Sequence, residues 1–167
     1  MITTGEHTYG NPIRRGDGNN VTIGKYCSIA EGVILDGGFS HSTKNISTYP
    51  FHSWFPELNS LPSNIVIKGD INIGNDVWIG EGAVIMSGVT IGHGAVIGMR
   101  AIISKDVPPY AIVVGAPQYI LRMRFDPDRI AKLLKLAWWD KSDEEVISIA
   151  HLLQSNDIEA LFKYFGV

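Results

Sequence analysis

Proton transfer near neutral pH calls first for histidine, whose unperturbed pKa of about 6.5 leaves neutral imidazole available to take a proton. The chain has five: His7, His41, His52, His93 and His151. His41 and His52 share a segment that also carries Tyr49, Phe51, Trp54 and Phe55, where a small acceptor could be held beside a general base. On residue types alone these two rank equally. His93 and His151 are expected at the surface, the first at a corner and the second on a helix. The lone Cys27 has no partner for an internal disulfide, which fits a reducing compartment, and its place in the sequence pattern is that of a small core residue rather than a nucleophile. Asp70, Asp76 and Asp106 read as turn residues, and no spacing of His, Cys, Asp and Glu reads as a metal site, so no metal is expected. Lys105, Arg122 and Arg124 are cations that could meet a phosphate; Lys105 could equally be a solvated corner lysine, and the arginines could pair with carboxylates.

These residues are hung on a repeat. From Ile67 the chain reads IKGDIN, IGNDVW, IGEGAV, IMSGVT, IGHGAV, IGMRAI, ISKDVP, with isoleucine first in every hexad and a small or β-branched residue fifth. Glycine is second in four of them: Gly74, Gly80, Gly92 and Gly98. An earlier pair, IGKYCS and IAEGVI, starts at Ile23 and Ile29, and Leu35 opens a third. Neither a helical period nor simple alternation fits. Period six predicts short strands separated by tight turns, with the large aliphatic pointing into a narrow interior and glycine turning the corner. Such units cannot bury a face alone and must stack as coils, an all-β solenoid.

The register slips between Leu35 and Ile67, which places an insertion at about residues 36–64, DGGFSHSTKNISTYPFHSWFPELNSLPSN. Long aromatic loops in a compact domain point to function. After Pro108 the prolines end the ladder, so a β-helix domain over residues 1–120 is expected to give way to a helical segment over 121–167. Asp126 before Pro127, Ser142 with Glu145, and Asn156 with Glu159 mark three helix starts; Ile130, Leu133, Leu134 and Trp138 share a face of the first. Trp138 and Trp139 are expected to pack rather than stack on a ligand.

At 167 residues the chain is long enough for one domain with a small appendage. Hydrophobic residues make up 45% and charged residues 19%, which excludes disorder as the main state. A formal charge of -3 removes the basic excess that nucleic-acid binding draws on. No apolar run is long enough for a membrane span and the start lacks the features of a signal peptide, so a cytoplasmic location is expected.

The hexads, the position of the insertion, the segment STYPF after Ser40-His41, the WIG ending at Gly80 and the tail FDPDRIAKLLKLAWW together resemble the hexapeptide-repeat acyltransferases. Within them the chain looks like the xenobiotic branch that includes streptogramin and chloramphenicol acetyltransferases, over roughly residues 21–140. The resemblance implies a left-handed parallel β-helix of hexapeptide repeats, an exception to right-handed crossovers. It implies acetyl-CoA as donor, laid along the coils between two subunits of a homotrimer, and His41 as catalytic base. Tyr49, Phe51, His52 and Trp54 would then line the acceptor pocket. GMRAIISKDVPPY corresponds to the family stretch GAxSVVTKDVPP, which puts Ser104 and Lys105 where pantetheine or phosphate is met; Trp78 would line the thioester end, and Arg122 and Arg124 would offer charge for the 3′-phosphate. Two departures stand out: Ser40-His41-Ser42 replaces N-H-R, and GAPQY replaces GNPAK, with Tyr119 at the lysine. The expected reaction is acetyl transfer to a hydroxyl or amino group, with a sugar of a surface polysaccharide or its precursor as first acceptor class. Streptogramin or chloramphenicol is the alternative, and a non-catalytic hexapeptide scaffold is the alternative of another kind.

Overall fold

Isoleucines six residues apart, each followed by a turn, fold into short parallel strands on three walls of a prism. The computed structural model describes residues 1–38 and 40–167. The first wall stacks Ile2–Thr4, Val21–Ile23, Ile71–Ile73 and Thr90–Ile91. The second stacks Ser28–Ile29, Trp78–Ile79, Val96–Ile97 and Ala111–Val114, and ends with Tyr119–Met123 running antiparallel. The third stacks Ile13–Arg15, Ile34–Asp36, Val84–Ile85 and Ile102–Ile103. The chain visits the walls in turn and forms the left-handed parallel β-helix, with the helical part after it, as the hexads and the resemblance imply.

The interior is one column of aliphatic side chains. First-position Ile23, Ile29, Leu35, Ile73, Ile79, Ile85, Ile91, Ile97 and Ile103 are at most 4% exposed, and so are fifth-position Cys27, Val33, Ile71, Val77, Ala83, Val89, Ala95, Ala101 and Val107. Each of the larger aliphatics contributes about 1.5–3 kcal/mol by leaving water. Burial also pushes the Cys27 thiol pKa up, as befits a core residue. Ile67, at a first position by spacing, is 42% exposed and lies before the strand that resumes the coil at Ile71.

The second-position glycines have a different reason from the one the pattern suggests. Their φ is ordinary; a Cβ on Gly74, Gly80 or Gly92 would sit 2.7, 2.6 or 2.4 Å from the backbone nitrogen of His93, Met99 or Pro109 in the next coil. Close approach between coils requires them. The left-handed corner residue comes two positions later, at Asp76 (φ 56°), Gly82 (66°), Gly94 (67°) and Arg100 (55°). Carboxylates cap some of these turns, Asp70 accepting from the Asn20 amide and Asp106 from that of Thr90.

A further coil precedes the legible repeat. Ile2–Thr4 pairs with Val21–Ile23, Tyr9 bridges to Ser28, and Ile13–Arg15 pairs with Ile34–Asp36, although residues 1–15 show no hexad. Four coils and the start of a fifth make a column about 20 Å tall at the usual strand spacing.

One corner of this column receives the C-terminal helices. The single-turn α1 (Phe51–Trp54) lies in the insertion, and α2 (Pro127–Leu136), α3 (Asp143–Leu153) and α4 (Ile158–Phe165) follow the last strand. Asp126 caps α2, and Ser142 with Glu145 forms a capping box on α3. Asp157 caps α4, one residue later than the spacing suggested, because its carboxylate reaches the Ala160 amide. Helix α2 stops at Leu136, since Ala137 turns left-handed (φ 43°), so Trp138 starts a 3₁₀ turn instead of extending the apolar face. Both tryptophans are buried. Trp138 lies against Tyr26, which stacks on His7, and Trp139 stacks on His93 at 4.8 Å.

His93 is therefore half-buried rather than a surface residue: its Nδ1 accepts from the Asn75 amide at 2.9 Å and its ring lies under Trp139. Burial lowers its pKa, against an opposing pull from Asp140. The folded protein thus takes up this proton at lower pH than the unfolded chain, whose histidine titrates at about 6.5. Stability contributed by neutral His93 is complete above that value and is lost as pH falls toward the depressed folded pKa. The expected result is a Tm that drops between pH 7.5 and 5.5 by a component absent from His93→Gln; a drop of equal size in both proteins would assign it to other groups.

Candidate active site

The insertion leaves and rejoins the column at one corner, between the third and first walls. Strand partners there are 50 residues apart, as in Val21 and Ile71, whereas partners in the unbroken repeat are 18 apart, as in Asn72 and Thr90. Its stem is a two-stranded antiparallel pair in which Ser40–His41 faces Ile65–Val66. Beneath it Gly38 (φ 73°) passes so close to Ser87 that a Cβ would come within 2.9 Å of Oγ.

His41 is exposed at the end of this stem, and its Nδ1 lies 2.5 Å from the Thr48 carbonyl oxygen. A carbonyl only accepts, so Nδ1 carries the proton and donates. In a neutral ring donating from Nδ1 the lone pair lies on Nε2, the form a general base needs. His52 differs: its Nε2 is 3.0 Å from Ser53 Oγ, its neighbour on α1. Geometry thus separates two histidines that residue types alone rank equally.

From Tyr49, the residue after Thr48, the insertion presents a shelf of aromatic rings. Tyr49 meets Phe51 edge-on at 5.0 Å and Phe55 at 6.5 Å, and Phe51 stacks on Phe55 at 6.1 Å. All three are exposed by more than two fifths, and Trp54 by 69%. Such a surface suits an acceptor with an apolar or ring-shaped body.

The donor-side candidates divide. Ser104 and Lys105 follow the strand Ile102–Ile103 at the same corner as the insertion, on a later coil. Gln118 Oε1 accepts from both of their amides, at 2.5 and 2.9 Å, and Gln118 Nε2 donates to the Lys105 carbonyl at 3.0 Å. This clamp leaves the Lys105 side chain exposed to solvent. Arg122 is exposed on the last strand, with Nη1 donating to the Met123 carbonyl. Arg124 is committed elsewhere: Nη1 donates to the Gly94 carbonyl at 2.6 Å and lies 3.6 Å from Asp76, with the guanidinium over the Tyr110 and Phe125 rings. Burial raises the pKa of Asp76, and the Arg124 charge pulls it back down. That pair ties the helical segment to the corner of the column and leaves Arg124 little freedom to reach a phosphate. Trp78, 57% exposed, stands on the second wall in register with Ser28 and Val96, across the prism from the corner that carries the insertion.

Sequence reasoning missed Gln118, the Thr48 carbonyl and Asn64, whose side chain also donates to Thr48. Each acts through backbone groups that no residue-type pattern marks.

A hexad column with an aromatic insertion carrying an exposed histidine bonded through Nδ1 to a backbone carbonyl defines a class, and comparison with known proteins gives the same class. Residues 70–105 match the family described as Bacterial transferase hexapeptide (six repeats). A chloramphenicol acetyltransferase of Agrobacterium fabrum is 43% identical over 151 residues, 88% of this chain and 72% of that one. A virginiamycin A acetyltransferase of Staphylococcus aureus is 41% identical over 151 residues, covering 86% and 67%. Among solved structures, a hexapeptide-repeat-containing acetyltransferase from Vibrio cholerae aligns with a TM-score of 0.60 at 32% identity, over 75% of this chain and 64% of that one. The chain belongs to the hexapeptide-repeat acyltransferases, in their xenobiotic acetyltransferase branch.

Proposed function

We propose that the protein is an acetyltransferase that moves the acetyl group of acetyl-CoA to a hydroxyl of a small acceptor, with His41 as general base. The single observation that carries this is the Nδ1 hydrogen bond to Thr48, which leaves the lone pair on Nε2 of an exposed imidazole, in the insertion that carries the aromatic shelf. Nε2 takes the proton of the acceptor hydroxyl as its oxygen attacks the acetyl carbonyl carbon. The tetrahedral intermediate then collapses, the C–S bond breaks, and the departing CoA thiolate takes the proton from the imidazolium. An acetyl ester and CoA result, and the histidine returns to its starting form.

Two acceptor classes follow from different observations. The relatives named for chloramphenicol and virginiamycin A favour an antibiotic. Ser42, where the branch commonly has arginine, changes the flank of the base, and with the shelf of stacked rings it favours a sugar hydroxyl. A panel of both classes incubated with acetyl-CoA and read by mass gain of one acetyl group decides between them. General bases contribute roughly 10²- to 10⁴-fold, so His41→Ala should lower kcat by about that factor with the KM for acetyl-CoA unchanged. His52→Ala should act on the KM of the acceptor; the reverse pattern would make His52 the base.

Lys105 is an exposed cation outside the ion pairs of the described residues, and Arg124 is a structural one. Lys105→Ala should raise the KM for acetyl-CoA several-fold with kcat nearly intact, whereas Arg124→Ala should lower Tm. Equal KM values for the donor and its 3′-dephospho form would remove the phosphate contact from Lys105.

The site is completed between copies of the chain in a homotrimer. Trp78 and the His41 insertion stand on opposite sides of one prism, so a donor laid along the second wall meets the base of a neighbouring copy. Ile102, Met99, Ile120 and Leu121 leave apolar surface exposed by 41% or more for that contact. Sedimentation at micromolar concentration should give three times the chain mass; a monomer with full activity would overturn the shared site.

A further inference from the structure

We infer that Asn64 is a positioning residue that fixes the tautomer and aim of His41, an inference that rests, for its catalytic consequence, on reading His41 as the base. The base is held by one acceptor, the Thr48 carbonyl, and that carbonyl belongs to the middle of the insertion. Left to itself such a segment samples many backbone states. Asn64 removes that freedom from the other limb: its Nδ2 donates to the same carbonyl at 2.8 Å, so both lone pairs of Thr48 O are taken, one by His41 Nδ1 and one by Asn64. Its backbone is engaged as well, because the Asn64 carbonyl accepts from the Ser42 amide at 2.8 Å, directly after the base. Residues 41, 48 and 64 are thereby triangulated at the outer end of the stem, where His41 pairs with Ile65.

Burial makes this arrangement informative. Asn64 is only 7% exposed, and its buried Oδ1 has no hydrogen-bond partner among the described residues. A half-satisfied amide is a poor choice for packing, since an apolar side chain of the same size would avoid an unpaired acceptor. The donor is the part with a geometric use. If Thr48 O turned away, His41 would lose the partner that keeps its proton on Nδ1, and the proton could move to Nε2, where it blocks general-base catalysis.

The test uses Asn64→Leu, which keeps volume and loses the donor, and Asn64→Asp, which keeps the shape and sets an acceptor against the carbonyl. A long-range proton–nitrogen correlation spectrum of the full-length protein reads the His41 tautomer directly. The wild type should show one Nδ1-protonated form and both variants a mixture. With acetyl-CoA and whichever acceptor of the two classes gains an acetyl group in the panel, kcat should fall about 10- to 100-fold, the range typical when the hydrogen-bond partner that orients a metal-ligating histidine is removed, with the KM for acetyl-CoA within twofold. A purely structural role would instead lower Tm and leave the tautomer alone. Should Asn64→Leu fail to fold, Asn64→Asp carries the test. A single Nδ1-protonated His41 in the folded variants would overturn the inference. Wild-type kcat in His41→Ala would overturn its catalytic half, and the tautomer spectrum would still decide whether Asn64 positions the ring.

Discussion

Coil-to-coil contact through the backbone is the constraint on which the rest of this structure depends. Parallel strands stack at hydrogen-bonding distance, and at the second hexad position the neighbouring backbone comes so near that a Cβ on Gly92 would lie 2.4 Å from Pro109 N. Each strand must then lie in register on the one below and keep its large side chain inward. The first and fifth positions are filled by aliphatics and small residues because the lumen between three walls has room for nothing else. What remains free is the outward face and the corners, and the proposed site lies there.

An unbroken ladder gives a rigid wall with little to grip a substrate. The insertion supplies the missing surface at the expense of one interruption in the register, and the column closes beneath it as if it were absent: Val84 pairs with Ile34 and Val21 with Ile71 without a shift. Rigidity is restored locally by hydrogen bonds to one carbonyl, Thr48, shared by His41 and Asn64. The helical segment repeats this use of a corner. Tyr26, Asp76, Gly94 and Tyr110 occupy the same turn in successive coils, and Trp138, Trp139 and Arg124 dock on it.

The two arginines of the tail illustrate how burial assigns roles to residues of one type. Arg122 faces solvent, whereas Arg124 lies over two aromatic rings with a carboxylate and a carbonyl at its tip. Lys105 keeps an exposed side chain because Gln118 satisfies the backbone of its turn, in the segment where this chain departs from the usual lysine-bearing sequence.

By itself the sequence determined the solenoid, its period, all but one of its first-position inward residues and the presence of an insertion and of a helical tail, since each of these follows from side-chain size and spacing along the chain; the exception, Ile67, is exposed because the insertion's stem runs through Val66 and the coil resumes only at Ile71. Only the tertiary structure decided that residues 1–15 make a coil, because their pairing with Val21–Ile23 and Ile34–Asp36 relies on backbone ladders that leave no hexad. It also decided that His93 lies beneath Trp139 and that Arg124 is held by Asp76, contacts between segments far apart in the chain. The resemblance alone points to His41 over His52; the tertiary structure adds how their surroundings differ, namely which ring nitrogen meets which oxygen, Thr48 O for one and Ser53 Oγ for the other, and a distance of that kind exists only once the insertion has folded.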